Sequence, residues 1–573
     1  MKKYFLLALF FGFSIISINT LAQNNLLEQG NNLEKKLLSG EKHQYTISLQ
    51  KGEYASCVIM QKGVDIAIDL INPVGKKVQT FDSPNGTDGP EPVNIIAEET
   101  GYYQLNIYPM NEQSSLTDSV SKAQFAQQNQ GSYTIMDVVK LSIESYKKKL
   151  EKEAADKVLF TKWLSTNSHQ LTTCDAGNGY TDLQPFKQIL KGVSVVGLGE
   201  SSHGTSEFFR MKHRLLEFLV NEMGYNSFYI EASMARCRYI NDYVLYGKGN
   251  LDTATVIQGF TTWRVEEVRN MIEWIRVHNK TVAADRKVKF MGYDLQINSF
   301  AWKDLKNFYN TVNPSMIYLI DSLVIQTKKA ATLSNAMTLK EQQDGASLFS
   351  NANKSCLQIL NDINLRQGQY EYATNKNVYE QNLMNIKLIL QEIESYKDVY
   401  NDRRDYYMAQ NIMWLLNREK SGAKVVVWAH NMHIEKLTYP NFGSMGYYLN
   451  QYLKSKYYAL GFEFYKGSFK TRNYDLNNQS KNWDIVTVGE PPVESLPWYF
   501  NKTGKTKLFI DFRSSGNKNV SLFSKPFEMH TFGSGYSPTR GMPTFSDKME
   551  NFDGMIFIKE STPAKNFPDI TID

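Results

Sequence analysis

Glu200 and His203 stand three residues apart in Val195-Val196-Gly197-Leu198-Gly199-Glu200-Ser201-Ser202-His203-Gly204-Thr205-Ser206-Glu207. A carboxylate at that spacing can orient the imidazole or compete for its proton, and the imidazole can activate water. The chain has only eight histidines, and three of them, His203, His430 and His433, lie just beyond short apolar runs. Glu231 likewise closes Ser227-Phe228-Tyr229-Ile230, and His430 and His433 close Lys424-Val425-Val426-Val427-Trp428-Ala429. A single histidine in such a place is ordinarily structural; three of them beside Glu200 and Glu231 point to chemistry. Lys212 lies between Phe208 and Leu216, four residues to either side, on the apolar stripe of a helix. There a lysine either reaches for solvent or enters a cleft as a fixed positive charge, polarising a carbonyl or pairing with Glu231. Ser201 and Ser202 adjoin His203, but Gly-x-Ser-x-Gly is absent there, so activated water is the expected nucleophile and a serine hydrolase the lesser alternative.

These residues must be positioned by an α/β sheet. Val193 to Leu198 is an apolar run of strand length, Gly199 lets the chain turn, and helical spacing begins at Glu207 with Phe208, Leu215, Leu216 and Leu219. Further strands are predicted over Ser227–Ile230, Val288–Tyr293 (ending at Asp294), Lys424–Trp428, Tyr457–Phe462, Ile485–Val488, Leu508–Ile510 and Met555–Ile558. Parallel strands converge on one crevice at their carboxyl ends, so residues far apart in sequence can share a pocket. Between about 300 and 420 the pattern is helical, an inserted lobe with a loose polar stretch expected around Leu333 to Ala352. Arg403-Arg404-Asp405 opens its last helix, as an ion pair or a substrate contact. The segment 525 to 552 lacks a pattern and is expected to be a surface or cleft-edge loop.

Gly199-Glu200-Ser201-Ser202-His203-Gly204, the helix with Lys212 and Arg214, Glu231 at a strand end, and Trp428-Ala429-His430-Asn431-Met432-His433, in this order, resemble the erythromycin esterase family. The resemblance runs from about Asn167 to the C-terminus. It implies that His203 is the general base for hydrolysis of an ester or lactone, macrolides among the candidates, with Glu200, Glu231, Lys212 and His430 around it. His433 would orient His430 or simply pack. Glu231 has a second reading as a cap or ion-pair carboxylate. In several family members arginine matches Lys212; lysine keeps the charge but loses the bidentate fork. No cofactor is expected. The alternative is a divalent metal held by Glu200, His203, Glu231 and His430, and a third reading is a noncatalytic binding protein.

Ahead of this region, short alternating segments predict a small all-β sandwich over 23–140: Tyr45–Leu49, Cys57–Met60, Ile66–Leu70, Tyr103–Ile107 and Tyr133–Ile135. Turns fall at 72–75 and 83–86. Its Gly63-Val64-Asp65, Asn72-Pro73-Val74-Gly75-Lys76, Gly101-Tyr102-Tyr103-Gln104-Leu105 and Gly131-Ser132-Tyr133-Thr134-Ile135 are similar to the pre-peptidase C-terminal domain family, which implies an accessory or binding module. Asp65 and Asp69 suggest calcium less readily than a solvated strand end. A linker helix is expected over 141–166, and the hydrolase domain from 167 to 573.

Met1-Lys2-Lys3, the apolar run Phe5 to Ile18 and Thr20-Leu21-Ala22 read as a signal peptide over 1–22, which predicts a periplasmic or secreted product. No run is long enough for a membrane span. A length of 573 residues suggests roughly three domain-sized units. The hydrophobic fraction of 42% and charged fraction of 21% are those of a folded chain, and a net charge of +5 with dispersed Lys and Arg gives no case for nucleic acid as a partner. Aromatic residues at 13% suit a cleft for a partly apolar ligand, although core packing is the commoner use. Cys57, Cys174, Cys237 and Cys356 lack metal-ligand spacing and are expected to be buried thiols.

Overall fold

The computed structural model describes residues 25–30, 32–83, 87–110, 130–334, 339–397, 403–438, 443–474, 480–513, 521–536, 544–568 and 570. The predicted leader over 1–22 and the turn residues 84–86 lie outside the described residues. The chain divides into two compact units, residues 1–156 and 157–573, not the three that length suggests.

The first unit contains two four-stranded antiparallel sheets. One has the order Leu33–Leu37, Gly131–Leu141, Tyr54–Lys62, Asp88–Ile96, and the other His43–Leu49, Gly101–Pro109, Ile66–Ile71, Lys77–Phe81. Alternating residues such as Tyr45, Ile47, Ile59, Ile68, Leu105, Ile107 and Ile135 form their common core. Asp69 accepts from Thr80 Oγ1 at 2.7 Å, Tyr108 OH at 3.2 Å and Lys77 Nζ at 3.3 Å, so its carboxylate is occupied within the sheet. The helix Ile143–Asn167 carries the chain from the first unit into the second.

A mixed ten-stranded sheet dominates the second unit. Along it run Lys289–Asp294, Ser227–Ser233, Val425–Trp428, Val195–Leu198, Tyr457–Tyr474 and Gly554–Ser561, all parallel, then Lys507–Asp511, antiparallel to Gly554–Ser561, and His169–Gln170, antiparallel in turn to Lys507–Asp511, while Ser480–Val488 and Gly535–Tyr536 pair with Tyr457–Tyr474 off this path. The central strands are buried on both faces, which is why they are continuous apolar runs. Val425 and Val427 face one core and Val426 and Trp428 the other. The chain leaving Val195–Leu198 returns to the sheet beyond Val425–Trp428, and the chain leaving Val425–Trp428 returns beyond Val195–Leu198. The order therefore reverses between these two neighbours, which opens a crevice at their carboxyl ends.

Among the described residues, six α-helices separate Asp294 from Val425: Ser299–Val312, Ile317–Ser334, Leu339–Leu365, Gln367–Ala373, Lys376–Lys397 and Arg404–Asn417. Leu305, Ile320, Ile359, Ile386 and Ile412 share a core with Val195, Val425 and Val427, so the lobe has no core of its own and adds no third unit. The stretch expected to be loose is helical at both ends, in Ile317–Ser334 and from Leu339 onward; residues 335–338 lie outside the described residues. The segment predicted as loop contains the paired strands Pro526–His530 and Thr544–Lys548. All four cysteines are buried free thiols. No helix among the described residues is long and apolar enough to cross a membrane.

Candidate active site

The loop 199–204 leaves its strand under tight constraints. A Cβ on Gly199 would lie 2.2 Å from Asn431 Oδ1, and one on Gly204 would lie 1.7 Å from the Lys470 carbonyl oxygen. Both positions require glycine for close approach. Between them the Glu200 carboxylate is wholly buried. Its Oε1 lies 2.6 Å from His203 Nδ1, and its Oε2 accepts from Lys212 Nζ at 2.5 Å and Trp428 Nε1 at 2.9 Å. An ionised carboxylate only accepts, so His203 Nδ1 carries a proton, and in the neutral ring Nε2 then keeps its lone pair. The His203 ring is 12% exposed and lines a cleft.

Lys212 does not enter that cleft, contrary to the expectation of a cleft-facing charge. It is fully buried, 4.3 Å above the Trp428 ring, and its partner is Glu200 rather than Glu231. The helix Ser206–Met223 packs that stripe against the sheet, and Glu200 is the carboxylate beneath it. Burial brings Lys212 down to about 8, against the pull of Glu200. It therefore cannot touch a substrate oxyanion; it neutralises the group that holds the base.

A second polar cluster forms the other half of the site. Glu231 Oε2 accepts the His430 backbone N–H at 3.0 Å, while Oε1 lies 2.8 Å from Arg404 Nη2 and 3.2 Å from His433 Nε2. Arg404 also grips Asp294 with Nη2 at 2.7 Å and Nε at 3.3 Å. Burial alone would push Glu231 up, but His433, Arg404 and His203 outweigh it and hold the carboxyl well below its usual range. His433 Nδ1 sits 2.6 Å from Asp405 Oδ1. Burial opposes charging this ring, yet Asp405 and Glu231 raise it to about 10. Arg404 Nη1, 3.0 Å from His433 Nε2, favours a neutral ring. Two carboxylates, Asp405 and Glu231, against one guanidinium decide for the charged one.

His430 behaves oppositely. Burial first, then the neighbouring His203 and His433, drive it well below the imidazole range, so it is neutral. Its Nδ1 accepts from Met432 N–H at 3.2 Å, which places the ring proton on Nε2.

The charge on His433 has a measurable consequence. Its folded-state value of about 10 exceeds the 6.5 of a free imidazole. Its stabilisation is therefore complete below pH 6.5 and lost as pH rises through about 10. The gap in thermal midpoint between wild type and His433→Asn should be widest below pH 6.5 and close toward pH 10. A gap independent of pH would show that the folded ring is neutral.

The cleft, of about 340 Å³, brings together His203, Glu231, Arg404, His430 and His433, with Phe260, Trp263 and Met432 as apolar walls. Trp263 meets the His203 ring edge-on at 5.4 Å and donates Nε1–H to the Glu231 carbonyl at 3.1 Å. Thr531, Gly533 and Ser534 complete the rim, so the partly stranded segment 525–552 does border the cleft. The sequence offers Arg404 and Asp405 as an ion pair or a substrate contact, and it does not place Asp294 or Trp263 in the site. Asp294, like Glu231, marked a strand end, but nothing singles out Trp263.

Two alternative chemistries fit this arrangement poorly. Ser201 and Ser202 are buried, with Ser201 Oγ on Glu463 at 3.2 Å and Ser202 Oγ on Thr205 Oγ1 at 2.7 Å, so neither presents a nucleophile. Both oxygens of Glu200 and both of Glu231 face N–H donors, the wrong partners for carboxylates serving a cation. Among the described residues no three His, Cys, Asp or Glu side chains are grouped to hold a metal ion.

The geometry agrees with what the chain resembles. The erythromycin esterase family model matches residues 220–561, which include Glu231, Asp294, Arg404, His430 and His433 and begin after Glu200, His203 and Lys212. Escherichia coli erythromycin esterase type II is 26% identical over 62% of this chain and 89% of its own length. The Bacillus subtilis protein YbfO is 22% identical over 72% of this chain and 93% of its own. A Bacillus cereus protein superposes with a TM-score of 0.60 at 23% identity, covering 72% of this chain and 99% of that one. A point mutant of the erythromycin esterase EreC, solved in an open conformation, gives 0.51 at 14% identity over 68% and 96%. With a family match spanning more than half its length and solved relatives sharing its fold, the chain belongs to the erythromycin esterase family.

Proposed function

We propose that the protein hydrolyses an ester or lactone by direct attack of water activated at His203. The observation that carries this reading is the buried relay Lys212–Glu200–His203, which ends at a cleft and leaves Nε2 of His203 as its free acceptor. Nε2 takes a proton from water, the resulting hydroxide adds to the carbonyl carbon, and the bond to the alcohol oxygen breaks as that oxygen takes the proton back from Nε2. An ester yields one acid and one alcohol, and a lactone opens to one hydroxy acid. Glu200 fixes the ring tautomer and stabilises the imidazolium formed during attack. Neutral His430 lines the cleft beside His203, and charged His433 and Arg404 add positive potential where the oxyanion develops. The family assignment and the resemblance to a named erythromycin esterase support the ester class.

A panel of macrolides, simple lactones and simple esters, with acid release followed by titration, tests the proposal. Failure of the wild-type protein to release acid from any of them would reject it. Chelation supplies a second test. Because the carboxylates of the site are committed to N–H donors, activity should persist in protein shown by elemental analysis to be metal-free. Loss on chelation and recovery with one equivalent of a divalent ion would instead make a metal-bound water the nucleophile.

A further inference from the structure

A second glutamate–histidine pair lies behind the His203 loop, wholly buried and unused by the proposed chemistry. Glu463 and His530 are 0% exposed. The Glu463 carboxylate collects four donors: His530 Nδ1 at 2.8 Å, His530 backbone N–H at 2.9 Å, Ser201 Oγ at 3.2 Å and Phe464 N–H at 2.8 Å. The His530 ring is stacked against Phe464 at 4.8 Å and Phe532 at 5.1 Å. The segment it anchors then returns to the same loop. Phe532 N–H donates to the Ser201 carbonyl at 2.8 Å, and His203 N–H donates to the Gly533 carbonyl at 3.2 Å. The loop is thereby tied to one carboxylate by two routes, through the Ser201 side chain and through the backbone of residues 530–533.

We propose that Glu463 and His530 are positioning residues that set where His203 stands against Glu200. A buried charge with all its donors in place is rigid, and loss of one donor leaves it uncompensated. The 2.6 Å contact between His203 and Glu200 lies at the end of this loop and inherits its placement. The pair touches no substrate; it acts through the loop. The inference rests on His203 being the base, and misplacement of a reacting group by about 1 Å costs on the order of 100-fold in rate.

Two readouts test it: kcat and KM for an ester the wild type hydrolyses, and the downfield Nδ1–H resonance of His203 in ¹⁵N-histidine-labelled protein. The second needs no substrate, so failure of the hydrolase reading would leave it decisive. Ser201→Ala, which cuts only the side-chain route, should shift that resonance and lower kcat about tenfold with KM unchanged. His530→Leu should abolish the resonance and lower kcat about 100-fold. His530→Asn, whose amide can replace Nδ1–H as donor, should stay near wild type in both. If His530→Leu does not fold, Ser201→Ala decides alone. The proposal is overturned if Ser201→Ala matches wild type in both readouts, or if folded His530→Asn and His530→Leu behave alike, leaving the pair a core contact only.

Discussion

Replacing His203 by alanine should lower turnover by about 100-fold to 10,000-fold, the usual contribution of a positioned general base. No neighbour can take over. Glu231 stays ionised, but its oxygens are held by Arg404, His433 and the His430 N–H. His430 is neutral with its proton on the nitrogen left free by Met432, a donor rather than a base. His433 is charged at neutral pH. The fold should survive, because the lost ring lies at the cleft and Glu200 keeps Lys212 and Trp428. His213 is the appropriate control. It lies on the same helix as Lys212 but lines a separate cavity, and burial lowers it to about 4. His213→Gln should hydrolyse substrate at the wild-type rate. Activity of His203→Ala within a few-fold of wild type would end the case for this base.

The strand-end positions of Glu200, His203, Glu231, His430 and His433 were legible because parallel strands buried on both faces must be continuous apolar runs. The first polar residues after such runs fall at the crevice. The partners of these side chains were not legible. Lys212 has the same sequence signature whether it enters the cleft or lies beneath Glu200, since both directions belong to one apolar stripe. Arg404 was recognisable as an ion-pairing residue, but which carboxylates it meets depends on strands more than a hundred positions away. In the first unit, Leu33–Leu37 and Lys77–Phe81 escaped notice because edge strands bury little; Lys77–Phe81 buries only Phe81. Asp88–Ile96 contains Pro90 and Pro92, which argue against a strand unless it is an edge, and it is one. The ladder of Pro526–His530 with Thr544–Lys548 joins two five-residue strands across a long interval, and single-sequence periodicity does not register such a pairing.

Lys212→Met should destabilise the second unit by about 3–5 kcal/mol, the usual cost of removing one member of a buried ion pair. Methionine preserves most of the stem volume between Trp428 and Phe462, so the loss is one of charge, not of packing. The remaining donors to Glu200, Trp428 Nε1 and His203 Nδ1, are dipoles and do not offset a full negative charge at a site without solvent. Removing both charges is a different experiment. Glu200→Gln in the Lys212→Met background leaves no ion to strand, so the double variant should be more stable than the single one, with activity still lost because His203 no longer faces a carboxylate. Thermal midpoints and urea midpoints of the three proteins measure this directly. If Lys212→Met is as stable as wild type, or Glu200→Gln fails to restore stability in its background, the charge on Lys212 is not the counter-ion of Glu200 and the relay that holds the base does not exist.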